Sequence, residues 1–147
     1  MAHWLFNFSD GYGEQATALL RAKMWAVGPH EGDRGALAPG DLVLIYLPAP
    51  EAKFIGRAEL ATAFRDWTSS EAEVYPGESP SGVLLSHVEE WEPAVPMGAV
   101  VQRIDPTGSN PLVQANAAAG FQSDVVRITR DEYEATVALS REARETR

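Results

Sequence analysis

The chain has 147 residues and a formal net charge of −9, from 21 acidic and 12 basic side chains, and it contains no cysteine. The missing cysteine excludes a disulfide framework and a thiolate metal site. The acidity disfavours tight nucleic-acid binding unless the basic residues gather on one face, because that affinity comes largely from neutralised phosphates. With 45% hydrophobic residues and no apolar run of membrane-spanning length, we expect a soluble, cytoplasmic single domain over residues 1–147.

The first half of the chain predicts three strands, one helix and one loop. The strands are apolar runs, the helix has apolar residues three and four apart, and the loop is rich in glycine, proline and charged residues. These criteria predict strands at 3–8, 42–47 and 53–61, a helix at 14–23 and a loop at 25–35. The run at 42–47 is apolar on both faces and is predicted to be central in its sheet. Gly56 in the next strand predicts a bulge or a close backbone approach.

The second half predicts fewer regular elements. Residues 68–82 are rich in Ser, Glu, Pro and Gly and are predicted to be the least ordered internal segment. Strands are expected at 83–88 and 121–128, with an extended or edge piece between them at 89–96, where two prolines bar a central strand. A helical turn is expected at 97–104 and a loop at 105–111.

The C-terminal segment carries the clearest helix signal. Thr129 and Glu132 have the spacing of a capping box, which predicts a helix that runs to about Arg144. Residues 138–147 are expected to be the frayed end of this helix. The order of the elements predicts an α+β domain, with a small curved sheet or partly closed barrel flanked by helices.

Signatures of catalysis and metal binding are sparse. His3, His30 and His87 are far apart and lack the i, i+4 spacing of a helical metal-binding pair. No serine lies in a Gly-x-Ser-x-Gly turn, and no phosphate-loop lysine follows the glycines. We therefore expect no metal, no cofactor and no enzymatic activity.

Four tryptophans are the most informative residues. Core packing is the simplest role for Trp4 and Trp91, whereas Trp25 and Trp67 each adjoin a polar, glycine-containing stretch and are predicted to lie at a pocket rim. An indole there offers a flat π face to a base or to a methylated or cationic group. Core packing is the alternative for these two as well. The face of Trp25 is expected to be left uncovered by its small neighbours Ala22, Ala26 and Gly28.

Five segments, in the same order, resemble the EVE domain, a PUA-like fold related to YTH and ASCH domains: residues 3–7, 24–28, 39–46, 54–60 and 126–133. The resemblance spans nearly the whole chain. It implies a strongly bent mixed sheet or partly closed barrel of about five to six strands flanked by helices. YTH domains read N6-methyladenine in RNA with an aromatic cage, and EVE domains are described as readers of modified bases such as methylated cytosine, often in bacterial defence systems. The resemblance thus implies a non-catalytic reader of a modified base.

The resemblance also implies which residues bind. Trp25 holds the place of the cage tryptophan after the first helix, and Trp67 is the predicted second wall. The implied base-binding pocket comprises Trp25, Asn7, Phe8, Trp67, His30, Phe121 and Gln122. Phosphate or polar contacts are expected from Arg34, Lys23 and Arg57.

The chain departs from many relatives at two places. Asn7 and Phe8 stand where a Lys-Ser pair is common, and the acids Glu31 and Asp33 lie close to where a phosphate is expected. The implied partner is modified DNA or RNA, bound weakly or through a single-stranded or flipped base, or a free modified nucleoside. The alternative of another class is a protein-interaction or regulatory domain with an acidic surface and a vestigial or small-molecule pocket.

Overall fold

The computed structural model describes residues 1–8, 13–28, 32–75, 79–104, 110–112 and 123–145. Within these residues seven strands form one mixed sheet: β1 (His3–Asn7), β2 (Met24–Ala26), β3 (Leu42–Leu47), β4 (Lys53–Leu60), β5 (Arg65–Asp66), β6 (Ser81–Pro96) and β7 (Val125–Ile128). The described helices are α1 (Gly13–Ala22), α2 (Ser69–Val74), α3 (Met97–Arg103) and α4 (Arg130–Glu145), with a 3-10 turn at Arg34–Ala36. None of them is long and apolar enough to cross a membrane.

The sheet has the strand order β2-β6-β4-β3-β1-β7, and β5 also pairs with β6. β1 and β3 are parallel, whereas the other pairs are antiparallel. The first part of β6 pairs with β2 and β5, and the remainder pairs with β4. Register shifts in the β3–β4 and β4–β6 pairs bend and twist the strands. The predicted α+β architecture, a bent and partly closed mixed sheet flanked by helices, is confirmed.

Side-chain alternation along β1 separates two hydrophobic cores. Trp4 and Phe6 belong to the first core, which packs against α1 and contains Trp25. Leu5 belongs to the second core, which lies between the sheet and the helices α3 and α4 and contains Trp91. The predicted core roles of Trp4 and Trp91 are confirmed, since their exposed fractions are 1% and 4%.

A buried carboxylate, that of Asp41, joins the N-terminal residues to the turn before β3. Its Oδ1 accepts a hydrogen bond from the Ala2 backbone N–H at 3.0 Å. Its Oδ2 accepts from the Trp4 indole N–H at 2.9 Å and from the Ala38 backbone N–H at 3.1 Å. Burial by itself raises the pKa of Asp41, but these three hydrogen bonds outweigh it and hold the pKa below its usual value.

Several local predictions are confirmed. β3 occupies the predicted central position, and a register shift lies on each side of Gly56. The Thr129 hydroxyl accepts the Glu132 backbone N–H at 3.1 Å, and the Glu132 carboxylate accepts the Thr129 N–H at 2.8 Å. This is the predicted capping box of α4. The helix runs to Glu145, so residues 138–145 of the expected frayed end are helical.

Other local predictions are wrong. Trp25 lies in β2 and not in a loop, because residues 24–26 pair with β6. The stretch predicted to be least ordered contains α2, with a capping box formed by Thr68 and Glu71. By contrast, the extended or edge piece predicted at 89–96 is confirmed: it is the proline-containing half of β6, and among the described residues it pairs on one side only, with β4. Of the predicted strand at 121–128, residues 121–122 lie outside the described residues and the strand begins at Val125; most of the predicted loop at 105–111 also lies outside them.

Replacing Asp41 by asparagine is expected to lower the free energy of unfolding by about 1–3 kcal/mol, because one amide oxygen cannot accept from all three donors, of which the Trp4 indole is buried. The lowered pKa makes the carboxylate's contribution present above about pH 4, the unfolded value, and lost as the pH falls through the lower folded pKa. Urea unfolding at about pH 7 and pH 2 measures both effects. Asp66→Asn in the short strand β5 is the control, with an expected change within about 0.5 kcal/mol. Equal losses in the two variants would contradict the assignment.

Candidate functional site

The candidate site lies at the carboxyl ends of the parallel strands β1 and β3. Asn7 ends β1 opposite Tyr46, and Phe8 follows it. The helix α1 begins at the same end of the sheet, since a Cβ added to Gly13 would lie 3.2 Å from Cδ1 of Leu47. The first strand, the third strand and the start of α1 thus meet around the predicted residues Asn7 and Phe8.

Trp25 is buried against the aromatic side chains of β1. Its exposed fraction is 4%, and its ring centroid lies 6.0 Å from that of Phe6 at an interplanar angle of 19°. The half-buried ring of Phe8 lies 5.5 Å away at 65°. The expectation of an uncovered indole face is therefore wrong, because pairing of β2 with β6 turns Trp25 into the first core. The structure does bring the predicted residues Trp25 and Phe8 into contact.

Asn7 carries a buried oxygen without a hydrogen-bond partner. The residue is 6% exposed, and its Oδ1 has no partner among the described residues. An unpaired buried polar group is uncommon and costs about 1–3 kcal/mol. Alternation along β1 places Asn7 on the face of Leu5, opposite the face of Phe8. The unpaired oxygen and the Phe8–Trp25 ring pair therefore lie on the two sides of the same strand end.

Trp67 is separated from the Trp25 ring by the sheet itself. Trp25 is paired with Val83, and both pack in the first core. Gly82, the neighbouring residue of β6, faces the other way, and a Cβ there would lie 2.7 Å from the Trp67 ring. Trp67 thus covers the outer face of β6, where its indole N–H donates to the Ser79 carbonyl at 2.9 Å. The two predicted cage walls do not face one cavity.

The three predicted phosphate contacts lie in different surroundings. Lys23 is exposed between α1 and β2, with φ of 59°. The Arg34 guanidinium lies 5.9 Å from the ring centroid of the half-buried Phe64. Arg57 is on the α4 side of the sheet, where its Nη2 lies 3.2 Å from a Glu89 carboxylate oxygen. Arg57 therefore does not share a face with Phe8 and Trp25.

Some predicted residues cannot be placed. His30, Phe121, Gln122 and the acid Glu31 lie outside the described residues. Among the residues that are described, no group of three histidine, aspartate or glutamate side chains has metal-binding geometry.

Sequence reasoning missed two features near these sites. The residues around Gly82 give no sign that glycine is required there, because a side chain at this position would meet Trp25 and Trp67, which are distant in sequence. An apolar groove of about 270 Å³ was also missed, because small apolar residues on a strand and two helices are typical of ordinary packing. The groove is lined by Ala94, Val95, Pro96, Ala99, Leu139, Glu142 and Ala143.

No family model and no curated protein matches the sequence. Solved structures match along nearly the whole chain. Human THYN1 in complex with 5-methylcytosine-containing DNA is 16% identical and has a TM-score of 0.63, with 95% of this chain and 98% of that chain covered. A Pseudomonas putida protein is 20% identical with a TM-score of 0.66 (coverage 95% and 99%), and ASCH from Zymomonas mobilis is 14% identical with a TM-score of 0.55 (94% and 95%). At these identities the likeness establishes the fold, and the PUA-like fold that the sequence resemblance implied is confirmed.

Replacing Gly82 by alanine is expected to lower the free energy of unfolding by about 1–3 kcal/mol, because the added methyl group meets the Trp25 carbonyl and the Trp67 ring. Gly98→Ala in α3 is the matched control. A Cβ at Gly98 has no neighbour within 4 Å, so this change is expected to raise stability by about 0.5–1 kcal/mol through helix propensity. Urea unfolding followed by tryptophan fluorescence measures both, and a destabilised Gly98→Ala or an unchanged Gly82→Ala would refute the packing argument.

Proposed function

We propose that the chain is a non-catalytic, EVE-type binding module that reads a modified base, of the methylated cytosine or adenine type, in DNA or RNA. The observation that carries the proposal is the buried Oδ1 of Asn7, which has no partner among the described residues and lies at the end of β1, on the face opposite the Phe8–Trp25 ring pair. The fold shared with THYN1, whose structure contains 5-methylcytosine DNA, supports it.

The Asn7 oxygen selects for a ligand that brings an N–H group. Cytosine offers its N4 amino group and adenine its N6 amino group, whereas thymine and uracil present a carbonyl oxygen at the corresponding position. A ligand donor removes an unpaired-group penalty of about 1–3 kcal/mol, which corresponds to about 5- to 150-fold in affinity. A ligand carbonyl would instead face another acceptor and be repelled.

Phe8 supplies the accessible aromatic contact, and Trp25 supports it from behind. Phe8 is half-buried while Trp25 is almost fully covered, so a base meets the Phe8 ring first. Stacking on an aromatic ring contributes about 1–3 kcal/mol per base. Burying one methyl group adds about 0.8 kcal/mol, less than a tenfold preference, so strong discrimination also requires a clash or a trapped water with the unmodified base.

The state of the base decides how easily it binds. Extruding a base from a duplex costs a few kcal/mol, which favours a single strand, a mispair or a free nucleoside.

The alternative function is a protein-interaction or regulatory domain. The apolar groove between α3, α4 and the end of β6 favours it, together with the net charge of −9. The two functions differ in a direct way, because the alternative requires no affinity for any nucleoside. Folded protein that binds none of the modified nucleosides would favour the alternative.

Asn7→Leu tests the role of the unpaired oxygen. An apolar side chain of similar size removes the buried acceptor, so stability is expected to stay the same or rise by about 1 kcal/mol. Affinity for 5-methylcytidine or N6-methyladenosine is expected to fall at least about fivefold, because the ligand amino group loses its acceptor. Calorimetric titration and urea unfolding measure the two effects. Unchanged affinity, or a loss of stability without loss of binding, would show that Asn7 has only a structural role.

The placement of the tryptophans is tested by fluorescence. Titration with modified and unmodified nucleosides is expected to quench emission, most strongly with amino-bearing modified bases. Trp25→Phe is expected to lose most of this response, whereas Trp67→Phe keeps it because Trp67 lies on the outer face of β6. The reverse pattern would mean that the ligand binds on the outer face.

A further inference from the structure

We infer that the site takes its base as a nucleoside or an unpaired nucleotide, with at most three phosphate contacts, so that binding depends weakly on salt. This inference rests on the proposed function and specifies the class of ligand. It follows from how the chain uses its positive charges.

Most arginines of the described residues are engaged in ion pairs that hold the protein together. Two are bidentate, the geometry in which arginine binds carboxylates most strongly. Arg65 contacts both oxygens of Glu71 at 2.6 and 2.7 Å, and Arg103 contacts both oxygens of Glu142 at 2.9 Å. The first pair joins β5 to α2, and the second joins α3 to α4.

Glu89 forms ion pairs with two further arginines. Its carboxylate lies 3.2 Å from Arg57 in β4 and 3.2 Å from Arg144 in α4, and it accepts the Trp91 indole N–H at 2.8 Å. Arg21 is paired with Glu90 at 3.3 Å, and Arg130 with Glu134 at 2.9 Å. At the two bidentate pairs a phosphate would have to displace the carboxylate. Arg21 and Arg130 pair through Nε, but both lie away from the end of β1 that carries Asn7: Arg21 is in the last turn of α1, and Arg130 follows Ile128, which is opposite His3.

Among the described residues, Lys53 is a cation at the strand end that carries Asn7 and Phe8, because it begins β4 opposite Leu47. The other predicted contacts lie toward the opposite end of β4, where the Lys23 carbonyl accepts the Leu85 N–H and Arg34 lies over Phe64; both are counted to give a generous limit. Arg127 instead lies over the Trp4 ring, toward the amino end of β1. Exposed Glu14, in the first turn of α1, adds negative charge at the site end. Lys23, Arg34 and Lys53 therefore set an upper limit of three phosphate contacts.

This limit predicts a shallow salt dependence. For single strands the slope of log K against log salt is about −0.7 per phosphate contact, so three contacts give about −2. Affinity then falls no more than about 20-fold between 50 and 200 mM salt, whereas proteins with six to ten phosphate contacts lose about 10³–10⁵.

The experiment compares three ligands: 5-methylcytidine, a labelled single-stranded DNA with one 5-methylcytosine, and the same DNA as a duplex. Calorimetry and fluorescence anisotropy at 50, 100 and 200 mM KCl give the affinities. We expect the nucleoside and the single strand to bind within about tenfold of each other, given the few backbone contacts. We also expect the duplex to bind more weakly, because its base must be extruded.

Two variants locate the contacts. Lys53→Gln is expected to make the single-strand slope shallower by about 0.7, whereas Arg141→Gln, in α4, is expected to leave it unchanged. A loss of affinity of 10³ or more over this salt range, or a duplex that binds more tightly than the single strand, overturns the inference and leaves the proposed function standing. No binding of any of the three ligands or of N6-methyladenosine, in protein that unfolds cooperatively in urea, overturns the proposed function and this inference together.

Discussion

The ionised carboxylate of Asp41 fixes the register of the two parallel strands on which the candidate site depends. It ties the Trp4 indole of β1 to the turn that launches β3, at the amino ends of both strands. Because the strands are parallel, this determines which residues emerge together at their carboxyl ends, where Asn7 lies opposite Tyr46. A slip of one residue would exchange the two faces of β1 and move Asn7 and Phe8 to the wrong sides. The site is thus positioned from the far end of the strand.

The same alternation gives the strand end two chemically different sides. One side is aromatic, where Phe8 and Phe6 pack on Trp25, and it is continuous with the first core. The other side carries the Asn7 amide near the second core. Trp67 lies on the outer face of β6 and is separated from these side chains by the backbone of that strand.

Features with a local cause could be predicted from the sequence. The central strand β3 follows from its apolar run, and the α4 capping box follows from Thr129 and Glu132. Features that depend on residues distant in sequence could not be predicted. The three residues of β2 resemble loop sequence, and only their pairing with β6 makes them a strand that buries Trp25. Arg57 reads as a surface cation until Glu89, which is distant in sequence, is seen to bind it.

The candidate site shows the same division. Phe8 and Trp25, which the resemblance assigns to one pocket, are in contact at the end of β1, whereas the burial of the indole depends on packing that no single segment encodes. The α2 capping box of Thr68 and Glu71 was a readable local signal that the surrounding Ser, Glu, Pro and Gly residues concealed. The unpaired state of Asn7 is a property of the folded surroundings alone.

The Oδ1 of Asn7 is an exception among the buried side-chain polar atoms of the described residues. Almost every buried polar group in a folded protein has a partner, and here one acceptor at the end of β1 lacks one among the described residues. A base that donates to it would give this acceptor a partner and add a hydrogen bond to that strand end. Ligand binding and the pairing of this acceptor would then occur together. Occupancy of the site would be detected as increased rigidity of β1 as well as through ligand affinity.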